Sequence, residues 1–111
     1  MERARSGRQV AIAADHPAFA GHFPGRPMLP GVALVAEAME AAAADPVLAK
    51  AIGPAPHLTV VKFLAPVGPG TTLDIDVRLE TRSVAFRIDA AGRAVATGQF
   101  ARADLAAQVP P

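Results

Sequence analysis

Few side chains in this chain are able to do acid, base or nucleophilic chemistry. It has no cysteine, and neither of its two serines, Ser6 and Ser83, neighbours a histidine in the sequence. A serine hydrolase triad is therefore not indicated. The three histidines, His16, His22 and His57, have neither the i, i+4 spacing nor the cysteine partners that are typical of a metal site. We expect no metal and no cofactor.

His22 has the most constrained surroundings of the three histidines. Gly21 before it permits close approach of the backbone, and Phe23 and Pro24 after it fix the chain direction. An imidazole held in this way could act as a general base, and the alternative is a structural histidine that hydrogen-bonds within its own loop. Segment 15–30 contains four prolines and two glycines, which exclude a regular helix or a central strand. The sequence predicts an ordered loop here.

A helix is predicted directly after this loop, from about Gly31 to Ala44. Its residues are strong helix formers, and Asp45 and Pro46 end it. Glu37 and Glu40 are its only charged residues, so the helix is apolar around most of its circumference. Such a helix is expected to lie inside the structure rather than on one side of it.

The first turn of this helix offers a second chemical feature. Its N–H groups, at Gly31 and Val32, have no acceptor within the helix itself. Together with the helix dipole they favour a carbonyl oxygen that is gaining negative charge. The loop and the helix together therefore indicate a base beside an oxyanion site.

Strands make up the rest of the predicted fold. A first strand is expected at Gln9–Ala13. Four more candidates follow the helix, separated by short turns: His57–Val67, Thr71–Glu80, Ser83–Ala90 and Arg93–Arg102. The second of these four alternates between apolar and charged residues, so its sheet has one buried face and one wet face. We predict an α+β fold in which one antiparallel sheet wraps around one long central helix.

Length and charge limit the remaining possibilities. The chain has 111 residues, which indicates one domain, predicted at 1–103 and followed by a disordered tail at 104–111. Its net charge of +1 is too small to indicate a nucleic-acid partner. The basic residues Arg3, Arg5 and Arg8 are interpreted as a frayed, solvated terminus. There is no apolar run of about 20 residues and no signal peptide, so we expect no membrane partner and a cytoplasmic location.

Two segments resemble a known family. "GHFPGRPMLPGV" at 21–32 resembles the signature segment of the hotdog-fold 3-hydroxyacyl-[acyl carrier protein] dehydratases of fatty acid synthesis and related pathways. "VKFLAPVGPG" at 61–70 is similar to the strand-and-turn segment of the same enzymes. With the order of the strands, the resemblance covers about 15–100. It implies a hotdog dimer, or a higher even oligomer, with active sites at the subunit interface.

The resemblance also implies roles for individual residues. His22 matches the histidine that removes the C2 proton of a 3-hydroxyacyl thioester. The resemblance places the substrate beside Phe23, Gly31 and Val32. In the family, amides at the helix N-terminus hold the thioester carbonyl. The family's substrate is bound to an acyl carrier protein, and no cofactor is used.

The sequence departs from the family at the acid. In the family a Glu or Asp lies four positions after the valine of the Pro-Gly-Val triplet and helps to expel the 3-hydroxyl, and here that position is Ala36. Glu37 is turned by about 100° around the helix axis from it. Glu40 lies on nearly the same face, about 6 Å along the axis, and we predict it as the acid.

Other readings of these glutamates stay open. Glu37 could supply the acid through a local helix shift, both glutamates could form the polar stripe of the helix, or dehydration could be lost. Desolvation in such a helix is expected to raise a carboxyl pKa, which suits an acid. Arg26 and Lys62 flank the predicted site and could meet a carrier protein. The alternatives to a dehydratase are an acyl thioesterase and a silent hotdog subunit that binds acyl chains or pairs with an active homologue.

Overall fold

A computed structural model describes residues 4–19 and 28–106 of the chain. The predicted site residues His22 and Phe23, and Arg26 beside them, lie outside the described residues. The strands are β1 (Arg5–Ala11), β2 (Leu58–Phe63), β3 (Thr72–Leu79), β4 (Ser83–Ala90) and β5 (Arg93–Ala101). The helices are α1 (Gly31–Ala43), α2 (Pro46–Ile52) and α3 (Ala103–Ala106), with a short 3₁₀ helix at Pro17–Phe19.

The five strands form one antiparallel sheet in the order β1-β3-β4-β5-β2. β3, β4 and β5 follow one another as a meander at its centre. The turn from β4 to β5 consists of Ala91 and Gly92, which both have positive φ, 51° and 78°. Paired positive φ values are the geometry of a two-residue hairpin turn that matches the strand twist. β1 and β2 form the two edges.

The apolar side of the sheet packs against α1. In β3 the predicted alternation is confirmed, since Leu73, Ile75 and Val77 are buried and the residues between them are exposed or half-buried. On α1 the buried residues are Leu34 and three alanines. Alanine side chains are small, so the helix axis can lie close to the sheet. The predicted α+β architecture, a sheet around one long helix, is confirmed.

One stripe of α1 stays exposed in the single chain, whereas the sequence predicts a helix that lies inside the structure. The stripe consists of Val32, Ala36, Glu40 and Ala43. These positions recur every three or four residues and therefore lie on one face. A single sheet covers only the opposite face of the helix, which leaves this stripe open.

The N-terminal prediction is wrong in two respects. The first strand begins at Arg5 rather than Gln9, and it ends at Ala11. Arg5 is not frayed, because its Nε and Nη2 donate to the two carboxylate oxygens of Asp76 in β3, at 2.7 and 3.0 Å. The strand starts earlier than predicted because β1 pairs with β3, which is more than sixty residues away in the sequence. This pairing orders a polar segment.

The C-terminal part of the described chain is helical. α3 follows β5 directly, and the Arg102 guanidinium donates to both carboxylate oxygens of Asp104, at 3.1 and 2.7 Å. This ion pair lowers the pKa of the Asp104 carboxyl. Residues 104–106 of the predicted tail therefore belong to a helical turn, and 107–111 lie outside the described residues. The domain boundary at 103 stays a prediction.

Candidate active site

An apolar pocket of about 310 Å³ opens at the start of α1. Its walls are the segment before the helix, the first turns of the helix, and the chain that leaves β2: Met28, Leu29, Pro30, Gly31, Leu34, Phe63, Leu64, Ala65 and Pro66. A backbone hydrogen bond of 2.7 Å from the Leu29 N–H to the Val67 carbonyl ties the two chain segments together. The pocket is thus fixed at a helix N-terminus.

Gly31 meets the ring of Phe63 in this pocket. A Cβ atom added to Gly31 would lie 2.4 Å from Cζ of that ring and 2.8 Å from both Cε atoms. Such distances are too short for a Cβ atom, so a side chain at this position would require the Phe63 ring to move. The ring therefore approaches the first helical residue end-on. Phe63 lies within the family-like segment 61–70, but its partner across the pocket could not be read from the sequence.

The first two amides of α1 have no partner within the part of the chain that the structure describes. Pro30 precedes the helix, and no described side chain caps it. The Ala33 N–H donates to the Pro30 carbonyl at 2.9 Å, whereas the N–H groups of Gly31 and Val32 have no acceptor among the residues that the structure describes. Gly31 forms part of the pocket wall. Val32 is 78% exposed and lies outside the pocket, on the open stripe of the helix.

Glu40 lies at a different hollow from Gly31. This second hollow, of about 370 Å³, is lined by Ala36, Met39, Glu40, Ala43, Ile52, Gly53, Pro54 and Pro56. The Glu40 side chain is 60% exposed, and its carboxylate lies 3.8 Å from the Arg8 guanidinium. Glu40 lies nine positions after Gly31 in the helix, about 14 Å along the axis.

Glu37 is the more buried of the two carboxyl groups. Its Oε2 atom is buried and has no hydrogen-bond partner among the described residues. Burial raises the pKa of the Glu37 carboxyl and the nearby Glu40 raises it further, while Arg8 and His16 lower it. Glu37 therefore holds a proton more readily than an exposed glutamate. Sequence reasoning did not connect Arg8 and His16 to it, because they reach α1 only through the fold.

The two described histidines lie apart from the pocket. The ring of His16 packs edge-on against Phe19, with the ring centroids 6.2 Å apart. His57 precedes β2, and its carbonyl accepts from the Ala101 N–H at 2.9 Å. Within 4–19 and 28–106, no three His, Asp or Glu side chains are grouped so that they could hold a metal ion. No described helix is long and apolar enough to cross a bilayer.

Comparison with known families assigns the chain. The family model ApeI-like, described as ApeI dehydratase, matches residues 2–99. The chain belongs to this family. The match includes the loop with His22, the start of α1 and the Phe63 segment, so the resemblance to the hotdog dehydratases is confirmed.

Curated relatives of this ApeI-like chain are 3-hydroxyacyl-[acyl-carrier-protein] dehydratases named FabZ. The enzyme of Agrobacterium fabrum is 35% identical over 107 residues, which cover 90% of this chain and 68% of the relative. The enzyme of Gluconacetobacter diazotrophicus is 44% identical over 77 residues, which cover 62% of this chain and 47% of the relative. The chain thus spans between about half and two thirds of the length of these relatives.

Solved structures confirm the predicted hotdog fold. The dehydratase heterocomplex ApeI:P from Xenorhabdus doucetiae matches with a TM-score of 0.71 and 27% identity, over 91% of this chain and 93% of that one. An uncharacterised protein from Erwinia carotovora subsp. atroseptica matches with a TM-score of 0.76 and 24% identity, over 91% and 84% of the two chains. The second likeness concerns the fold alone.

Proposed function

We propose that this ApeI-like chain dehydrates a 3-hydroxyacyl thioester, carried by an acyl carrier protein, to the 2-enoyl thioester in fatty acid or related acyl-chain synthesis. The observation that carries the proposal is the site at the start of α1. There, the N–H groups of Gly31 and Val32 have no acceptor among the described residues, and Gly31 lines an apolar pocket. In the sequence this site follows directly after the family's histidine segment. Family membership supplies the class of reaction.

The chemistry needs a base, an oxyanion site and an acid. His22, as the base, takes the C2 proton, and the electron pair of the broken C2–H bond moves toward the thioester carbonyl. The N–H groups of Gly31 and Val32 donate to that oxygen as it gains charge. The C2=C3 bond then forms, the C3–O bond breaks, and an acid gives its proton to the departing hydroxyl, which leaves as water.

Glu40 and Glu37 are the two candidates for the acid. Glu40 is predicted from its position on the helix, but its side chain is 60% exposed and its carboxylate lies 3.8 Å from the Arg8 guanidinium. Glu37 has a buried oxygen and a raised pKa, so it carries a proton to higher pH. Burial of its carboxyl favours Glu37 as the acid, whereas the position on the helix relative to Ala36 favours Glu40. Substitution of each distinguishes them.

A homodimer completes the proposal. The edge strand β2 carries exposed apolar residues, Leu58, Val60 and Phe63, and the open stripe of α1 is also uncovered in the single chain. Because Gly31 and Glu40 are about 14 Å apart along one helix, one chain does not bring both to the same few substrate carbons. A second copy would bring its own α1 to the first. We further propose that Lys62 and Arg26 bind the carrier protein, and that the protein is cytoplasmic.

The test is conversion of a 3-hydroxyacyl thioester on acyl carrier protein to its 2-enoyl product. We expect turnover by the wild type, loss of about a hundredfold or more in His22→Gln, and a comparable loss in one of Glu37→Gln and Glu40→Gln. His57→Gln is the matched control, since His57 lies away from the pocket. Undiminished activity in His22→Gln would contradict the mechanism.

A second candidate is favoured by one observation, the presence of Ala36 on the exposed stripe where the family has its acid. A silent subunit would bind the acyl thioester without converting it. It would gain activity only when mixed with an active homologous subunit. Release of free carrier-protein thiol in the same assay would instead indicate a thioesterase.

A further inference from the structure

We infer that Phe63 determines substrate specificity, because its ring fills the space over Gly31 and limits the width of the acyl chain next to the reacting carbons. The substrate class that follows is the straight-chain 3-hydroxyacyl thioester, in preference to one branched at C4. This inference rests on the proposed function, which places the thioester carbonyl at the Gly31 amide.

The first step of the argument is the position of the ring. The tip of Phe63 points at the Cα atom of Gly31, close enough that an added Cβ would lie 2.4 Å from Cζ. Both residues line the same pocket, together with Leu34 and Leu64. A carbonyl oxygen that accepts from the Gly31 N–H therefore brings its own C2, C3 and C4 atoms beside this ring.

The second step concerns how far the Phe63 ring can move, given the residues around it. Phe63 is the last residue of an edge strand and is 51% exposed, and its register partner in β5 is the small residue Ala96. By contrast, Phe86 also covers a glycine but is only 3% exposed. Within the single chain, Phe63 is thus packed on one side only. A narrow acyl chain has to displace its ring less than a branched one.

The third step is chemical. The pocket beyond the ring is lined mainly by apolar side chains, and a hydrophobic wall discriminates by size rather than by hydrogen bonding. One methyl group against such a wall typically changes kcat/KM by 10-fold to 200-fold. A branch at C4 is the substituent that meets the ring, since it lies one carbon beyond the hydroxyl that leaves.

The experiment compares kcat/KM for straight-chain and 4-methyl-branched 3-hydroxyacyl pantetheine thioesters. In Phe63→Ala and Phe63→Leu we expect the preference for the straight chain to fall by about tenfold, mainly through faster conversion of the branched substrate. Val47→Ala is the matched control, because Val47 is 54% exposed and lies on α2. An unchanged preference in both Phe63 variants would overturn the inference.

A binding measurement keeps the inference testable if a variant loses activity. The chain has no Trp and no Tyr, so Phe63→Trp introduces a single fluorophore at the pocket. We expect hexanoyl pantetheine to change its emission saturably, and a 4-methyl-branched analogue to bind about tenfold more weakly. Equal affinity for the two ligands, or no change in emission with either, would overturn the inference.

The two proposals fail in different ways. A wild type without turnover, together with a saturable and selective emission change in Phe63→Trp, would refute the dehydratase function and support the role of Phe63. Turnover by the wild type with the same preference in Phe63→Ala would refute the role of Phe63 and support the function.

Discussion

Gly98 in β5 lies under the ring of Phe86, and replacing it with alanine tests how rigidly the core is packed. The new Cβ would lie 2.5 Å from Cζ and 2.6 Å from Cε2 of that ring, and 2.7 Å from the carbonyl oxygen of Val60 in the neighbouring strand. The ring is 3% exposed and has no room to turn outward. The carbonyl belongs to the backbone of β2, so relief requires the strands themselves to move.

The expected cost follows from these two obstacles. Overpacking of a core by one methyl group typically costs about 1–3 kcal/mol, and a fixed backbone oxygen places Gly98→Ala near the upper end. Alanine regains about 0.5–1 kcal/mol of backbone entropy relative to glycine in a strand. The net destabilisation is therefore about 2 kcal/mol.

Gly31→Ala provides the contrast, since it also meets a phenylalanine ring. Phe63 is half exposed and can turn toward solvent, so the cost is limited to the contact it gives up, about 1 kcal/mol. The gain in helix propensity from glycine to alanine, up to about 0.8–1 kcal/mol, offsets most of it. We expect Gly31→Ala to be within about 1 kcal/mol of the wild type.

Urea unfolding followed by far-UV circular dichroism measures these differences, at one protein concentration because oligomer stability depends on it. Gly7→Ala is the control, as an added Cβ there has no neighbour within 4 Å. The reasoning fails if Gly98→Ala unfolds within about 0.5 kcal/mol of the wild type, or if Gly31→Ala costs as much as Gly98→Ala.

Three further predictions concern the stability of the fold. Asp45 caps α2, since its carboxylate accepts hydrogen bonds from two backbone N–H groups at 2.9 and 3.0 Å. Asp45→Ala should therefore lower the free energy of unfolding by about 1 kcal/mol, as measured by urea unfolding. Asp45→Asn is the control, because it retains a capping oxygen. Leu73 is fully buried, and Leu73→Ala should cost about 2–5 kcal/mol in the same assay. The folded-state pKa of Glu37 is raised above its ordinary value of 4.5, so the native state binds this proton more tightly than the unfolded state, and wild-type stability is lost as pH rises through that window. Glu37→Gln should therefore gain stability relative to the wild type as the pH rises above about 4.5, and a difference that stays constant with pH would contradict the burial of the carboxyl.

Local patterns were sufficient for the central elements of the fold. The helix predicted at Gly31–Ala44 is observed at Gly31–Ala43, because strong helix formers end at Asp45 and Pro46. β3 was predicted from its alternation of apolar and charged residues, and its buried face is the predicted one. In both segments the signal lies within about ten consecutive residues, and no distant contact is needed to read it.

The edges of the fold and the surroundings of the site depend on distant contacts, and they were not predictable in this way. Arg5 is ordered by Asp76, which no local pattern indicates. The charges of Arg8 and His16 act on Glu37 only because the fold brings these residues to α1, which a helical wheel does not show. The Phe63 ring reaches Gly31 only because β2 ends beside the start of α1. The His22 prediction lies outside the described residues.

The strand order also has a consequence for the sequence of folding events. β3, β4 and β5 are joined by turns of two or three residues, whereas β1 pairs with β3 across more than sixty residues and β2 pairs with β5 across more than thirty. Long loops must close before these edge strands gain their contacts, which slows folding. We therefore expect the meander of β3, β4 and β5 to form first, before the apolar surface of α1 is covered. Changes in the Ala91-Gly92 turn would then alter the rate of folding, and changes in β1 the rate of unfolding.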